Sequence, residues 1–209
     1  MPRVRSSVYV DGFNLYYGLV RGTEWKWLDL QRFFELIRPD DDIQTIHYFT
    51  SEVRGQARER QSMYLSALGT LENVTIHLGR FKEKTLTCRV MDCVFPGTRR
   101  YRGLEEKETD VALSVTLIDD AYRDSADRFI VISGDSDLLP ALRLVRERFP
   151  QKEILVYIPA QRGTSRSIAT ETRRVAHRSR TLPAEPLRRA QLPATIETVA
   201  GTIEKPASW

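Results

Sequence analysis

Ser7-Val8-Tyr9-Val10-Asp11-Gly12-Phe13-Asn14, near the start of the chain, and Phe129-Ile130-Val131-Ile132-Ser133-Gly134-Asp135-Ser136-Asp137, far beyond it, follow one plan. Each is a short apolar run that ends on acidic and small polar residues. Runs of this length read as strands of a parallel sheet, buried on both faces. Their aspartates then emerge at the carboxyl ends of the strands, where open α/β sheets carry their sites.

The rest of the chain alternates in the same way. Segments near 7–11, 45–50, 74–79, 128–133 and 153–158 are rich in Val, Ile, Tyr, Phe or Thr and read as five strands. Between them Leu30, Phe33, Phe34 and Ile37 form one helical stripe, and Val111, Val115, Ile118 and Tyr122 form another. Further helices are expected over 56–71, over 138–149 with Pro140 in the first turn, and over 164–176. Alternating β and α units with right-handed crossovers give an α/β, Rossmann-like, three-layer fold: a central, mainly parallel five-stranded sheet with helices on both faces. A Rossmann-like order sets the first strand beside the fourth, so Asp11 borders the same crevice as Asp135 and Asp137. Asp110, opening the helix before the fourth strand, projects over it.

One domain over 1–160 is expected, with 80–107 as an insertion or lid because it breaks the alternation and holds Pro96-Gly97. A basic helix and proline-rich extension follow over 161–209. Those last 49 residues carry eight arginines and one lysine against four glutamates, whereas the whole 209-residue chain has a net charge of only +4. Arg99, Arg100 and Arg102 form a second basic cluster before Asp110. Basic segments beside an acidic pocket suit a polyanion held by arginine.

No apolar stretch approaches the roughly 20 residues that span a bilayer, and Met1-Pro2-Arg3-Val4-Arg5 leads into no signal-peptide core. The cytoplasm is the expected compartment, with no membrane partner. Cys88 and Cys93, the only cysteines, read as reduced thiols; a zinc site with His77 would still lack a fourth ligand.

Asp11, Asp110, Asp135 and Asp137 are the candidate metal ligands, because converging carboxylates repel one another unless a divalent cation lies among them. Mg²⁺ or Mn²⁺ fits hard oxygen donors, and such ions can activate a water and stabilise a leaving oxygen in phosphodiester hydrolysis. Asn14 is a neutral donor and acceptor for a water or a phosphate oxygen. Ser133 and Ser136 are candidates for metal-bound water, and Lys107, Arg99, Arg100 and Arg102 for substrate phosphate. Trp25, Trp27 and Tyr101 are candidates for stacking on unpaired bases. Asp119 and Asp120 fall off the apolar stripe of their helix and are expected to face water, and none of His47, His77 and His177 lies in the acidic motifs.

With those residues in place, the chain resembles the NYN family, the LabA-like or DUF88 group within the PIN-like nuclease superfamily. Tyr9-Val10-Asp11-Gly12-Phe13-Asn14-Leu15 resembles its first motif, Glu106-Lys107-Glu108-Thr109-Asp110-Val111-Ala112-Leu113 its second and Ile132-Ser133-Gly134-Asp135-Ser136-Asp137-Leu138 its third. The similarity covers about 8–159, and the ending from Gln191 to Trp209 is similar to the tail of one bacterial branch. The resemblance implies a PIN-like sheet, Mg²⁺ or Mn²⁺, ribonuclease activity, Asp11, Asp110, Asp135 and Asp137 as metal-binding acids, and Asn14 as their polar companion. Glu108 departs from it, since the second motif commonly has glycine there.

The leading expectation is a metal-dependent ribonuclease. A catalytically silent RNA-binding or regulatory module on the same fold is the first alternative. A phosphatase or nucleotidase is the second; it lacks an Asp-x-Asp nucleophile, since Phe13 stands two residues after Asp11. A dinucleotide-dependent oxidoreductase would require Gly-x-Gly-x-x-Gly after the first strand, which is missing. RNA is the expected partner, and the chain's small size leaves room for a homo-oligomer or a protein partner that supplies substrate.

Overall fold

The structure, a computed structural model, describes residues 3–90, 93–97, 99–160, 171 and 174–209, with only the backbone at 104 and 105. Its main sheet has the order β4-β3-β2-β1-β5-β6-β7: β1 (Val4–Asp11), β2 (Asp41–Ser51), β3 (Val74–Thr87), β4 (Arg100–Lys107), β5 (Arg128–Ile132), β6 (Glu153–Ile158) and β7 (Arg178–Thr181). All neighbours are parallel except β3 and β4. The sheet therefore has seven strands among the described residues, where sequence periodicity yields five. The two extra strands, Arg-Tyr-Arg-Gly-Leu-Glu-Glu-Lys and Arg-Ser-Arg-Thr, are too polar to read as strands alone and exist by pairing at the sheet's edges.

The first and fourth sequence-predicted strands are neighbours, with Val10 opposite Ile132 in the β1–β5 register. That pairing places Asp11 and Ser133 at adjoining strand ends. Alternation along β1 divides the core in two. Val8 and Val10 face a layer built on α2 (Leu30–Ile37), α3 (Ala57–Leu68) and Leu182, Leu187 and Leu192. Tyr9 faces the opposite layer, with α4 (Thr109–Tyr122) and α5 (Leu139–Arg148). Leu187 lies in α6 (Glu185–Arg189), after which β8 (Thr195–Thr198) and β9 (Gly201–Glu204) form a separate hairpin.

The short helix α1 (Gly12–Leu15) leaves β1 directly and continues as a π turn, Tyr16–Val20. The 80–107 segment is largely an antiparallel arm of β3 and β4, whose register sets Phe81 opposite Glu106 and returns the chain to α4. The helix expected over 164–176 lies mostly outside the described residues.

On α4 the inward stripe differs from the sequence reading. Leu113, Leu117 and Ala121 are buried, whereas Val111, Val115 and Tyr122 are 66%, 59% and 67% exposed. Both sets have helical spacing, so apolar periodicity could not choose between them; contact with the sheet does. As a result Asp120 turns inward, accepting a hydrogen bond from Tyr9 Oη at 2.7 Å and lying 3.1 Å from His47 Nε2. Those contacts hold its carboxyl below the usual range in spite of partial burial.

Candidate active site

The two ends of the sheet treat buried acids differently. At the amino ends of the strands, buried Asp41 is bonded by Arg38 through two contacts of 2.8 and 3.0 Å, by Arg128, and by Ser6 Oγ at 2.8 Å. That carboxylate is neutralised by its own protein. At the carboxyl ends, buried Asp11 has neutral donors: Asn14 N at 2.9 Å, Asn14 Nδ2 at 2.6 Å and Ser133 Oγ at 3.0 Å.

Asp11 acts as the N-cap of α1, its side chain accepting from the orphan N–H of Asn14. Asn14 Oδ1 in turn accepts from Gly134 N at 3.1 Å, and Ser133 Oγ accepts from Asp135 N at 3.0 Å. Asp135 Oδ1 accepts from Asp137 N at 2.9 Å, capping the short turn that leads into α5. Asp11, Asn14, Ser133, Asp135 and Asp137 thus form one hydrogen-bonded chain across β1 and β5. Ser136, between the two aspartates, is exposed and has no role in that chain.

Asp110, in the first turn of α4, feels the charges of the same group. Its carboxyl is pushed up to about 6, first by burial and then by the charges of Asp11, Asp135 and Asp137. Burial also raises Asp11, against the pull of its three hydrogen bonds, with Asp135 adding repulsion. The four sequence-predicted acids therefore share one electrostatic neighbourhood.

A fifth acid was not singled out from sequence. Glu106, at the end of β4, accepts from Thr109 Oγ1 at 2.8 Å and Ser51 Oγ at 3.1 Å, and its carboxyl is raised by burial with smaller contributions from Asp11 and Asp110. Its position in the second motif was visible, but the β3–β4 hairpin that carries it inward was not. Glu108 does the reverse: it adopts φ +81° and pairs with Arg80 at 2.5 Å. The left-handed backbone gives a physical reason for glycine at this position.

Among the described residues, no three His, Cys, Asp or Glu side chains already converge on a single ion position. The donors remain suited to Mg²⁺ or Mn²⁺, ions commonly held by one or two carboxylates and completed by water and phosphate. Cys88 and Cys93 are partly exposed free thiols. His77 stacks on Phe49 at 4.4 Å, and its Nε2 lies 3.0 Å from His47 Nδ1.

The basic candidates lie on or beside the β3–β4 arm. Arg99 and Arg100 are exposed, Arg102 is 3.7 Å from Glu83, and Lys107 is exposed at the end of β4. Of the stacking candidates Tyr101 is exposed, Trp25 is partly buried against the core, and Trp27 is fully buried with its Nε1 donating to Pro193 O at 2.8 Å. Trp27 is a packing residue. Phe13 and Tyr17, which follow Asp11 in α1 and the π turn, stack at 6.0 Å, with Phe81 edge-on to Phe13 at 5.9 Å.

No helix among the described residues is long and apolar enough to cross a membrane. The 6-hydroxy-3-succinoylpyridine 3-monooxygenase HspA of Pseudomonas putida is 30% identical, over 99% of this chain and 75% of that protein. A crystal structure of a protein of unknown function from Vibrio parahaemolyticus shares the fold at a TM-score of 0.54 and 14% identity, covering 91% of this chain and 98% of that one. The NYN domain model matches residues 5–182, so the chain belongs to the NYN domain family.

Proposed function

We propose that the protein is a metal-dependent nuclease that hydrolyses RNA phosphodiester bonds, with Asp11, Asp110, Asp135 and Asp137 as the metal-binding acids and Mg²⁺ or Mn²⁺ as cofactor. The observation that carries this reading is the contrast between Asp41, neutralised by two arginines, and the carboxyl-end acids, where burial and then the charges of Asp11, Asp135 and Asp137 raise Asp110. A bound divalent ion would supply an activated water and charge stabilisation at the phosphate. Asn14 and Ser133 fix the carboxylate of Asp11, and the exposed Ser136 would meet metal-bound water. Lys107, Arg99, Arg100 and Arg102 offer cationic contacts for the strand's phosphates.

A second reading follows from the relative named as a monooxygenase of a substituted pyridine, with which this chain is similar over nearly all its length. It is favoured by an aromatic-lined cavity beside the acids, suited to a small heteroaromatic ring.

The test is incubation of end-labelled single-stranded RNA and matched DNA with Mn²⁺, Mg²⁺ or EDTA. RNA cutting that requires metal and disappears in folded Asp11→Asn and Asp135→Asn variants supports the nuclease reading. Binding of RNA without cutting favours the silent RNA-binding module, and release of inorganic phosphate from mononucleotides favours the phosphatase.

A further inference from the structure

Next to the acidic group lies a half-open cavity of about 320 Å³, reached from Asp11 through its neighbours Gly12 and Phe13. The volume falls in the range of small-molecule sites. Tyr16, Tyr17, Tyr48, Tyr64 and Trp209 supply its aromatic surfaces.

Each surface comes from a different part of the fold. The π turn after β1 gives Tyr16 and Tyr17, an irregular geometry often found at functional sites. Helix α3 turns Ala57, Arg60, Gln61 and Tyr64 toward the space at helical spacing. Trp209 packs on Tyr64 at 5.6 Å and on Trp27 at 6.3 Å, closing one side. Tyr48 links the cavity to the acids: its phenol lies 2.8 Å from where a Cβ on Gly12 would stand, and Asp11 acts on it electrostatically.

The cavity also contains two cations, Lys26 and Arg60, and among the described residues neither has an ion-pair partner. Several tyrosine faces with two unpaired cations are complementary to a planar heteroaromatic ring bearing an anionic group. Stacking on aromatic side chains suits any base, and cations hold its phosphate.

We propose that this cavity is a nucleotide subsite, in which one base of a single strand enters the aromatic space, Lys26 and Arg60 hold its phosphate, and the neighbouring phosphodiester lies toward Asp11. The assignment to RNA rests on the nuclease reading. A free heteroaromatic carboxylate has the same ring-and-anion chemistry, but its attachment would end in the cavity. A strand instead uses both the half-open mouth and the acids adjoining it.

The experiment is titration of the protein in EDTA with adenosine and uridine 5′-monophosphates and, separately, pyridine-3-carboxylate, followed by calorimetry. Wild type is compared with Lys26→Gln, Arg60→Gln and Asp11→Asn, each checked for an unchanged thermal midpoint. Steady-state RNA cleavage by wild type and the two cation variants is measured alongside. The expected result is mononucleotide binding that weakens about tenfold in each cation variant, survives Asp11→Asn, and is matched by a raised KM for RNA at similar kcat. Pyridine-3-carboxylate binding without nucleotide binding overturns the nucleotide assignment and favours the second reading. Metal-dependent RNA cutting without mononucleotide binding, and with KM unchanged in both cation variants, overturns the subsite but leaves the nuclease. Mononucleotide binding without RNA cutting keeps the subsite and removes the nuclease.

Discussion

Ser133 Oγ donates to Asp11 Oδ2 at 3.0 Å across 122 residues of sequence, joining the ends of β1 and β5. The same hydroxyl accepts from Asp135 N, so one side chain sets the relative position of two acids. Ser133→Ala is expected to leave Asp11 short of a buried donor, costing on the order of 1–3 kcal/mol. Chemical denaturation checks the stability loss, and a larger fall in kcat than in RNA binding would place the effect on the acids.

Asp110 gives a pH signature. Because its folded carboxyl is raised to about 6 from an ordinary value near 3.8, the folded state holds the proton more tightly than the unfolded chain. Its contribution to stability is therefore fully present below 3.8 and is lost as pH rises through 6. In EDTA, Asp110→Asn should be more stable than wild type at pH 7, with the gap closing toward pH 4.5. Thermal midpoints across that window check this; a constant gap would contradict it. Asp120, Asp124 and Asp127 are held below the usual range by their partners, so their stabilisation fades at still lower pH, outside this window.

Glu108, at φ +81°, separates backbone strain from charge. Glu108→Gly relieves the left-handed geometry, whereas Glu108→Ala keeps it; both lose the exposed pair with Arg80. Glycine should exceed alanine by about 1 kcal/mol. Equal stabilities in urea would show that the turn relaxes without glycine.

Tyr9→Phe removes the Tyr9 hydroxyl from Asp120 while leaving His47 in place. A loss of about 1–2 kcal/mol is expected, smaller than for Asp120→Ala, which leaves both partners without their acceptor. Urea unfolding of the two variants gives the comparison.

Much of the candidate site's arrangement was legible because its residues sit where apolar runs stop. Val10-Asp11 and Ile132-Ser133 each announce a buried strand followed by a polar end, and their pairing follows from α/β connectivity. The inward face of α4 was not legible, because Val111, Val115 and Tyr122 are as regularly spaced as Leu113, Leu117 and Ala121. The burial of Asp120 depends on Tyr9, 111 residues away, and no local pattern encodes that contact. Glu106 was hidden for the same reason: its place beside Ser51 is set by the register of a hairpin whose outer strand is largely charged and polar. The aromatic cavity gathers residues from α1, the π turn, β2, α3 and the 208–209 segment, so it exists only in the folded chain.

In the proposed nuclease the carboxyl-end acids hold a divalent metal. The most direct measurement is Mn²⁺ titration followed by the electron paramagnetic resonance signal of the free ion, in wild type and in folded Asp11→Asn and Asp110→Asn variants. Wild type should take up Mn²⁺ and each substitution should weaken uptake by about tenfold or more. Uptake of equal strength in all three proteins, or none in the wild type, would contradict it.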